Sequence, residues 1–215
     1  MTDNISQIPK GLVSTASAAC SPHGSPMVSC LTVTQDGRQQ WLKHAIGDFL
    51  RQTWPNRELI IVHDGTDSCH KTIESLLPAV HAASVRVVKV PEGLSLSHAN
   101  GQFICQWDDD DRYHPQRLEV QMTELLNTSA DACFLADQLH HFANQAVLRW
   151  DDWNLERYPY NLIPGTLLAR RSVVSPYPDK PRGEDSAQVD DLLRKGAKIV
   201  RLRDKGWLYI YTFTG

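Results

Sequence analysis

The feature that most constrains this chain is an alternation, from residue 27 to residue 106, of short apolar runs with amphipathic ones. "MVSCLTVT", Met27 to Thr34, is β-branched and largely apolar, the pattern of a strand buried on both faces. "RQQWLKHAIGDFLRQTWP" then sets Trp41, Leu42, Ala45, Ile46, Phe49 and Leu50 in pairs four apart, a helical stripe ended near Pro55. "ELIIVHDGTD" is a second buried strand running into a turn. "HKTIESLLPAVH" repeats the helical spacing at Ile73, Leu76, Leu77 and Val80, and "VRVVKV" and "QFICQW" are further strands. Strand, helix, strand, helix, strand with short links predicts a parallel sheet covered by helices on both faces. Ligands of such sheets bind beyond the carboxyl ends of the strands. Polar residues gather at those ends: Gln35 and Asp36, then Asp64 and Gly65, then Asp108 to Asp111.

The second half continues the pattern. Pro115 is read in the first turn of a helix whose buried stripe is Leu118, Met122, Leu125 and Leu126. "ACFLADQ", "GTLLARR", "AKIVRLR" and "GWLYIYTF" are strand-like around one helix, "SAQVDDLLRKG", closed by Gly196. Residues 1–26, rich in Ser, Ala, Pro and Gly without apolar periodicity, read as a flexible leader, and 27–215 as one domain with one core. No apolar run approaches the ~20 residues of a membrane helix, and the first residues show no basic start followed by an apolar stretch. The expectation is a cytoplasmic protein, with peripheral membrane association left open. A net charge of -3 offers no broad basic face, so nucleic acid is not an expected partner. Cys20, Cys30, Cys69, Cys105 and Cys133 are odd in number and far apart, and read as small core residues in a reducing compartment. The histidines show no metal-ligand spacing, and His140 and His141 would point apart on a strand.

"FICQWDDDDRYHPQRL" places four aspartates between a strand and a helix. Neighbouring carboxylates repel by about 1 kcal/mol per pair at ~4 Å in water, and by more where water is scarce. A bound cation would offset this, and a solvated loop would dilute it. Three polar strand ends on one edge favour a site over a loop.

The series "VSCLTVT", "FLRQTWPNRELIIVHDGT", "GQFICQWDDDDRYHPQRL", "PGTLLARR" and "RGEDS" resembles the inverting family 2 glycosyltransferases of GT-A fold, over nearly all of residues 27–215. A D-x-D triplet alone is weak, but in these flanks it is fairly specific. The resemblance implies an α/β, Rossmann-like, mostly parallel central sheet flanked by helices in a single domain. Residues 27–112 would form the nucleotide-sugar-binding half and 113–215 the acceptor-binding half. It implies a UDP- or dTDP-linked sugar donor, a glycan or related hydroxyl acceptor, and Mn²⁺ or Mg²⁺ held by Asp110 and Asp108, hard ligands for a hard cation. By the same matching Asp109 faces the donor's ribose or sugar, Asp64 accepts from the base, and Val33 and Gln35 line the base pocket. Asp185 is the catalytic base with Glu184 beside it. Asp111 would cap the following helix, and Asp185 or Ser186 reads equally as a helix cap. Trp150, Trp153 and Tyr158 read either as an acceptor platform or as a loop anchor. Arg170, Arg171 and Arg182 read as diphosphate contacts or as solvated surface.

Two departures stand out. Only "HAN" separates "VRVVKVPEGLSLS" from "GQFICQW", where the family carries a donor-side helix, and Thr214 stands where related enzymes often have a metal-binding histidine. Both admit a second reading, a nucleotide-sugar-binding module of the same fold with impaired catalysis. A nucleotidyltransferase would want a glycine-rich phosphate loop after the first strand, which "TVTQDGRQQW" does not supply.

Overall fold

The computed structural model of the protein describes residues 24–77, 84–89, 96–177 and 183–213. Its first four strands are β1 (Val28–Thr34), β2 (Arg57–His63), β3 (Val85–Lys89) and β4 (Phe103–Gln106). The linking helices are α1 (Gln39–Leu50) and α2 (Asp67–Ser75). β5 (Arg112–Tyr113), α3 (Arg117–Asn127), β6 (Ala132–Leu135), β7 (Asp137–Phe142), β8 (Val147–Asp152) and β9 (Leu168–Arg170) follow. α4 (Glu184–Arg194), β10 (Ile199–Leu202) and β11 (Tyr209–Phe213) complete the order. Seven strands form one sheet in the order β10-β6-β9-β4-β1-β2-β3, parallel except for β9. This is the mixed α/β, mostly parallel architecture expected.

The twofold alternation of side chains along each strand divides the core into two layers. Val28, Cys30, Leu59, Ile61, Phe103, Cys105 and Cys133 pack on one side with Leu42, Ile46 and Phe49 of α1, Ile73 of α2, and Leu118, Met122 and Leu125 of α3. Leu31, Ile60, Val62, Ile104 and Phe134 point the other way, onto Val189 and Leu192 of α4 and the segment around Leu167. Apolar side chains on both strand faces account for the near-continuous apolar runs. Thr34 is in register with His63, and Leu31 with Gln106. The turns after β1, β2 and β4 therefore open at one edge.

Several local expectations need correction. Pro115 lies outside α3, before the Gln116 N-cap, and Leu126 is 38% exposed while Leu118, Met122 and Leu125 are buried. Asp111 caps no helix: its buried carboxylate accepts from Tyr209 Oη at 2.5 Å and from the Thr212 N–H at 2.7 Å. The N-cap of α4 is Gly183, whose φ of 76° lies in the left-handed region, so neither Asp185 nor Ser186 caps it. Residues 147–152 form the edge strand β8 of a second sheet, ordered β5-β11-β7-β8. Beyond it Trp153 packs on the core while Trp150 and Tyr158 stay exposed. Cys30, Cys105 and Cys133 are buried free thiols on strands, and Cys69 is buried on α2; Cys20 lies outside the described residues. Of the stretch read as leader, residues 24–26 are described, and the Ser25 and Pro26 carbonyls accept from Asn56 and Trp54. Between β3 and β4 the described residues hold a single 3-10 turn, Leu96–His98. Glu58 clamps the chain just after it, accepting from the Asn100 N–H at 2.7 Å and from Arg86.

Candidate active site

The first component is a cleft of about 450 Å³ lined by Gln35, Asp36, Asp64, Gly65, Thr66 and Lys89. It exists because β1 and β2 end level and both turn outward there. Gly65 is required by close approach: a Cβ would lie 3.0 Å from both Cβ and Sγ of Cys69 and 3.3 Å from Asp36 Oδ1. Thr66 caps α2, its hydroxyl accepting from the Cys69 N–H at 3.1 Å. Lys89, at the end of β3, supplies a cation and reaches Asp67 at 2.6 Å. Val33 is 52% exposed near the same strand end but does not line the cleft.

The four aspartates meet four different environments. Asp108 has the Gln106 amide at 3.2 and 3.5 Å, and its carboxyl is pushed up to about 7, chiefly by burial, with the charges of Asp110 and Asp185 adding. Asp109 is 3% exposed and faces inward: it accepts from Thr34 Oγ1 at 2.6 Å, from Arg38 Nε at 2.8 and 3.0 Å, and from Arg38 Nη2 at 2.5 Å. Asp110 is the more open, and Nη2 of the same arginine stands 2.7 Å from it. Asp111 is held inside by Tyr209 and Thr212, its carboxyl raised first by burial and then by Asp108. Self-repulsion is thus relieved by a protein cation, by inward hydrogen bonds and by a carboxyl held near neutrality.

Beneath the tip lies Arg117, fully buried, its guanidinium 5.3, 4.7 and 5.5 Å from the ring centres of Trp107, Tyr113 and Tyr209. It donates to Gln121 at 3.1 Å and to the Gly165 carbonyl at 3.3 Å. Tyr113 Oη donates to the Asp108 carbonyl at 3.1 Å, which ties the backbone of the tip to this aromatic layer.

Asp185 and Glu184 occupy the first turn of α4, where the helix dipole favours ionised carboxylates. The Ser186 N–H donates to Asp185 Oδ1 at 2.7 Å. Asp185 lies within the electrostatic reach of Asp108. Tyr177 is raised first by burial and then by Asp108, with Asp185 and Glu184 also acting on it. Tyr211 of β11 is raised by burial and feels Asp111, Asp110, Asp108 and Asp185 together. The acidic tip and the start of α4 therefore face one space. Asp64 follows His63, which is in register with Thr34, the residue that holds Asp109, and it lines the first cleft.

Arg38, Lys89, Arg117, Tyr177 and Tyr211 are the members of this region that sequence reasoning missed. Arg38 and Asp109 are 71 residues apart, so no local pattern could pair them. The other arginines lie elsewhere: Arg170 donates to the Ala130 carbonyl at 3.0 Å and Arg171 to the Leu96 carbonyl at 3.4 Å. Arg182 and Thr214 fall outside the described residues. A second cleft, about 570 Å³, lies beside α4 and is lined by Asp151, Trp153, Tyr160, Ser186 and Asp190 among others; Trp150 and Tyr158 do not line it. Among the described residues no three His, Cys, Asp or Glu side chains are already gathered to hold a metal, and no helix is long and apolar enough to cross a membrane.

Comparison with known proteins bears on the fold and the family. No curated protein sequence matches the chain. Among solved structures, S. aureus TarS 1-349 superposes with a TM-score of 0.68 at 16% identity, over 86% of this chain and 60% of that one. The same protein in complex with UDP-GlcNAc also gives 0.68 at 16% identity, over 88% and 59%. The mannosyltransferase PcManGT from Pyrobaculum calidifontis, in complex with GDP-Man and Mn²⁺, gives 0.63 at 16% identity, over 87% and 56%. The chain spans about 60% of the length of these TarS chains, and at such identity the likeness establishes the fold. The profile described as "Glycosyl transferase family 2" matches residues 30–169, from within β1 through the acidic tip to β9, so the chain belongs to glycosyl transferase family 2.

Proposed function

We propose that the protein is a metal-dependent, inverting glycosyltransferase that moves a sugar from a UDP- or dTDP-type donor to a hydroxyl of a glycan or related acceptor. The observation that carries this reading is the convergence of Asp108, Asp110 and Asp185, with the Asp108 carboxyl pushed up to about 7 and, among the described residues, no cation hydrogen-bonded to it. The donor set is all oxygen and partly open, which suits Mn²⁺ or Mg²⁺ completed by phosphate and water. Asp110 and Asp108 would hold the ion, whose contribution is to neutralise charge building on the departing diphosphate.

In this reading Asp64 accepts from the nucleotide base in the first cleft, with Gln35 lining it and Val33 at its margin. Lys89 adds positive charge there. Asp109 acts through Arg38 rather than by touching the donor. Asp185 takes the proton from the acceptor hydroxyl as that oxygen attacks the anomeric carbon from the face opposite the diphosphate. Glu184 stands beside it in the first turn of α4. The aromatic layer over Arg117 fixes the backbone from which Asp108 projects.

The test is turnover of a nucleotide-sugar panel with Mn²⁺, with product configuration followed by NMR. Transfer or donor hydrolysis that vanishes in Asp185→Ala supports the reading; activity undiminished in that variant overturns the assignment of Asp185. A second reading, a nucleotide-sugar binder without turnover, is favoured by the lone 3-10 turn described between β3 and β4. It predicts tight UDP binding with no turnover.

A further inference from the structure

Arg38 makes two unlike contacts in the acidic tip. Toward Asp109 it presents a fork, with Nε at 2.8 and 3.0 Å and Nη2 at 2.5 Å, on a carboxylate that is buried and further fixed by Thr34. Toward Asp110 it presents a single prong, Nη2 at 2.7 Å, on a side chain about a quarter exposed. Arg38 is the only ion-pair partner of Asp110 among the described residues. Asp109, through hydrogen bonding above all, holds the guanidinium firmly charged. A carboxylate read as a metal ligand is therefore already neutralised by the protein's own cation.

We propose that Arg38 is a positioning residue with two stations. It serves as the internal counter-ion of Asp110 while the site lacks metal. It releases Asp110 when a divalent cation and a nucleoside diphosphate enter, Nη2 then turning to the diphosphate while Nε keeps Asp109. This rests on the reading of Asp110 as a metal ligand. The physical reason is mutual exclusion: two cations ~4 Å apart repel by about 4 kcal/mol per unit charge product at an effective dielectric of ~20. A guanidinium and a divalent ion share one carboxylate only where an anion lies between them, and a diphosphate is such an anion. The fork on Asp109 sets the pivot, and the part-exposed Asp110 contact is the one free to break. Metal and nucleotide then bind cooperatively, with Arg38 contributing to the coupling.

The test is calorimetric titration of the full chain, wild type, Arg38→Gln and Arg38→Lys, with Mn²⁺ alone, with UDP alone in chelator, and with Mn²⁺ in the presence of UDP; circular dichroism checks folding. Arg38→Gln is expected to bind Mn²⁺ alone about tenfold more tightly than wild type and UDP alone about tenfold more weakly, with Arg38→Lys between them. A role confined to holding Asp109 would weaken both. Mn²⁺ binding that is unchanged or weaker in a folded Arg38→Gln overturns the proposal; should that variant not fold, the same criterion applies to Arg38→Lys. Absence of Mn²⁺ binding by wild type even with UDP overturns the metal reading itself. Metal binding by wild type without tightening in the variant overturns only the role of Arg38.

Discussion

Replacing Asp108 by asparagine changes the charge of the tip and almost nothing else, and its effect on stability has a definite sign. In the metal-free protein the Asp108 carboxyl stands at about 7 instead of 3.8, pushed up by burial and then by Asp110 and Asp185, against the Gln106 hydrogen bond and the charge of Arg117. An acid held above its ordinary value keeps its proton in the folded chain at pH values where the unfolded chain has lost it. Stability contributed by this group is therefore full below about pH 4 and is lost as pH rises to about 7. At about 1.4 kcal/mol per pKa unit the loss is at most about 4 kcal/mol; partial exposure of the side chain reduces the expectation to about 1–2 kcal/mol. Urea unfolding in chelator at pH 5 and pH 8 measures it. His63, held below its ordinary value first by burial and then by His70 and Lys89, titrates alike in both proteins and drops out of their difference, which reports Asp108 together with the Asp111 carboxyl that it raises. Asp108→Asn should be more stable than wild type at pH 8, and the order should reverse when Mn²⁺ and UDP are added. A variant less stable than wild type at pH 8 without metal refutes the reasoning.

Two further substitutions test the supports of the site. Asp48 of α1 is buried and accepts from Arg112 Nε at 2.8 Å, the Tyr113 N–H at 2.9 Å and Arg51, so Asp48→Ala strands a buried N–H and should cost about 3 kcal/mol in urea unfolding, with Asp48→Asn costing roughly half; a loss under about 1 kcal/mol for alanine would show that β5 is held otherwise. A Cβ at Gly165 would lie 2.8 Å from Tyr209 Oη and 3.3 Å from Asp108 Oδ2, so Gly165→Ala should lower turnover on the order of 10²-fold while costing about 1–3 kcal/mol of stability, and an unchanged kcat contradicts the placement of Asp108 in the site.

How much was legible follows from the range of each interaction. β1, α1, β2, β3 and β4 could be read because their apolar periodicity is local, with β1, β2 and β4 almost wholly buried. The β7–β8 hairpin could not. Its strands pair Leu139 with Trp150 and His140 with Arg149, a mixture without the clean alternation of a half-buried sheet, and Val147, Leu148 and Trp150 are exposed. The acids could be located at strand ends, since a parallel sheet brings those ends to one edge. Their division of labour could not be read, because Asp109 is defined by Arg38 71 residues away and Asp111 by Thr212 101 residues away. Asp109 accordingly turned out to be an inward anchor, and Asp111 a link to β11.

The most direct test of one shared site is calorimetric titration of UDP into wild type, Asp64→Ala and Asp110→Asn, each with and without Mn²⁺. Binding that Mn²⁺ strengthens in wild type, that loses its metal dependence in Asp110→Asn and that largely disappears in Asp64→Ala is the predicted result. UDP affinity that is the same in all three proteins and indifferent to Mn²⁺ would contradict it.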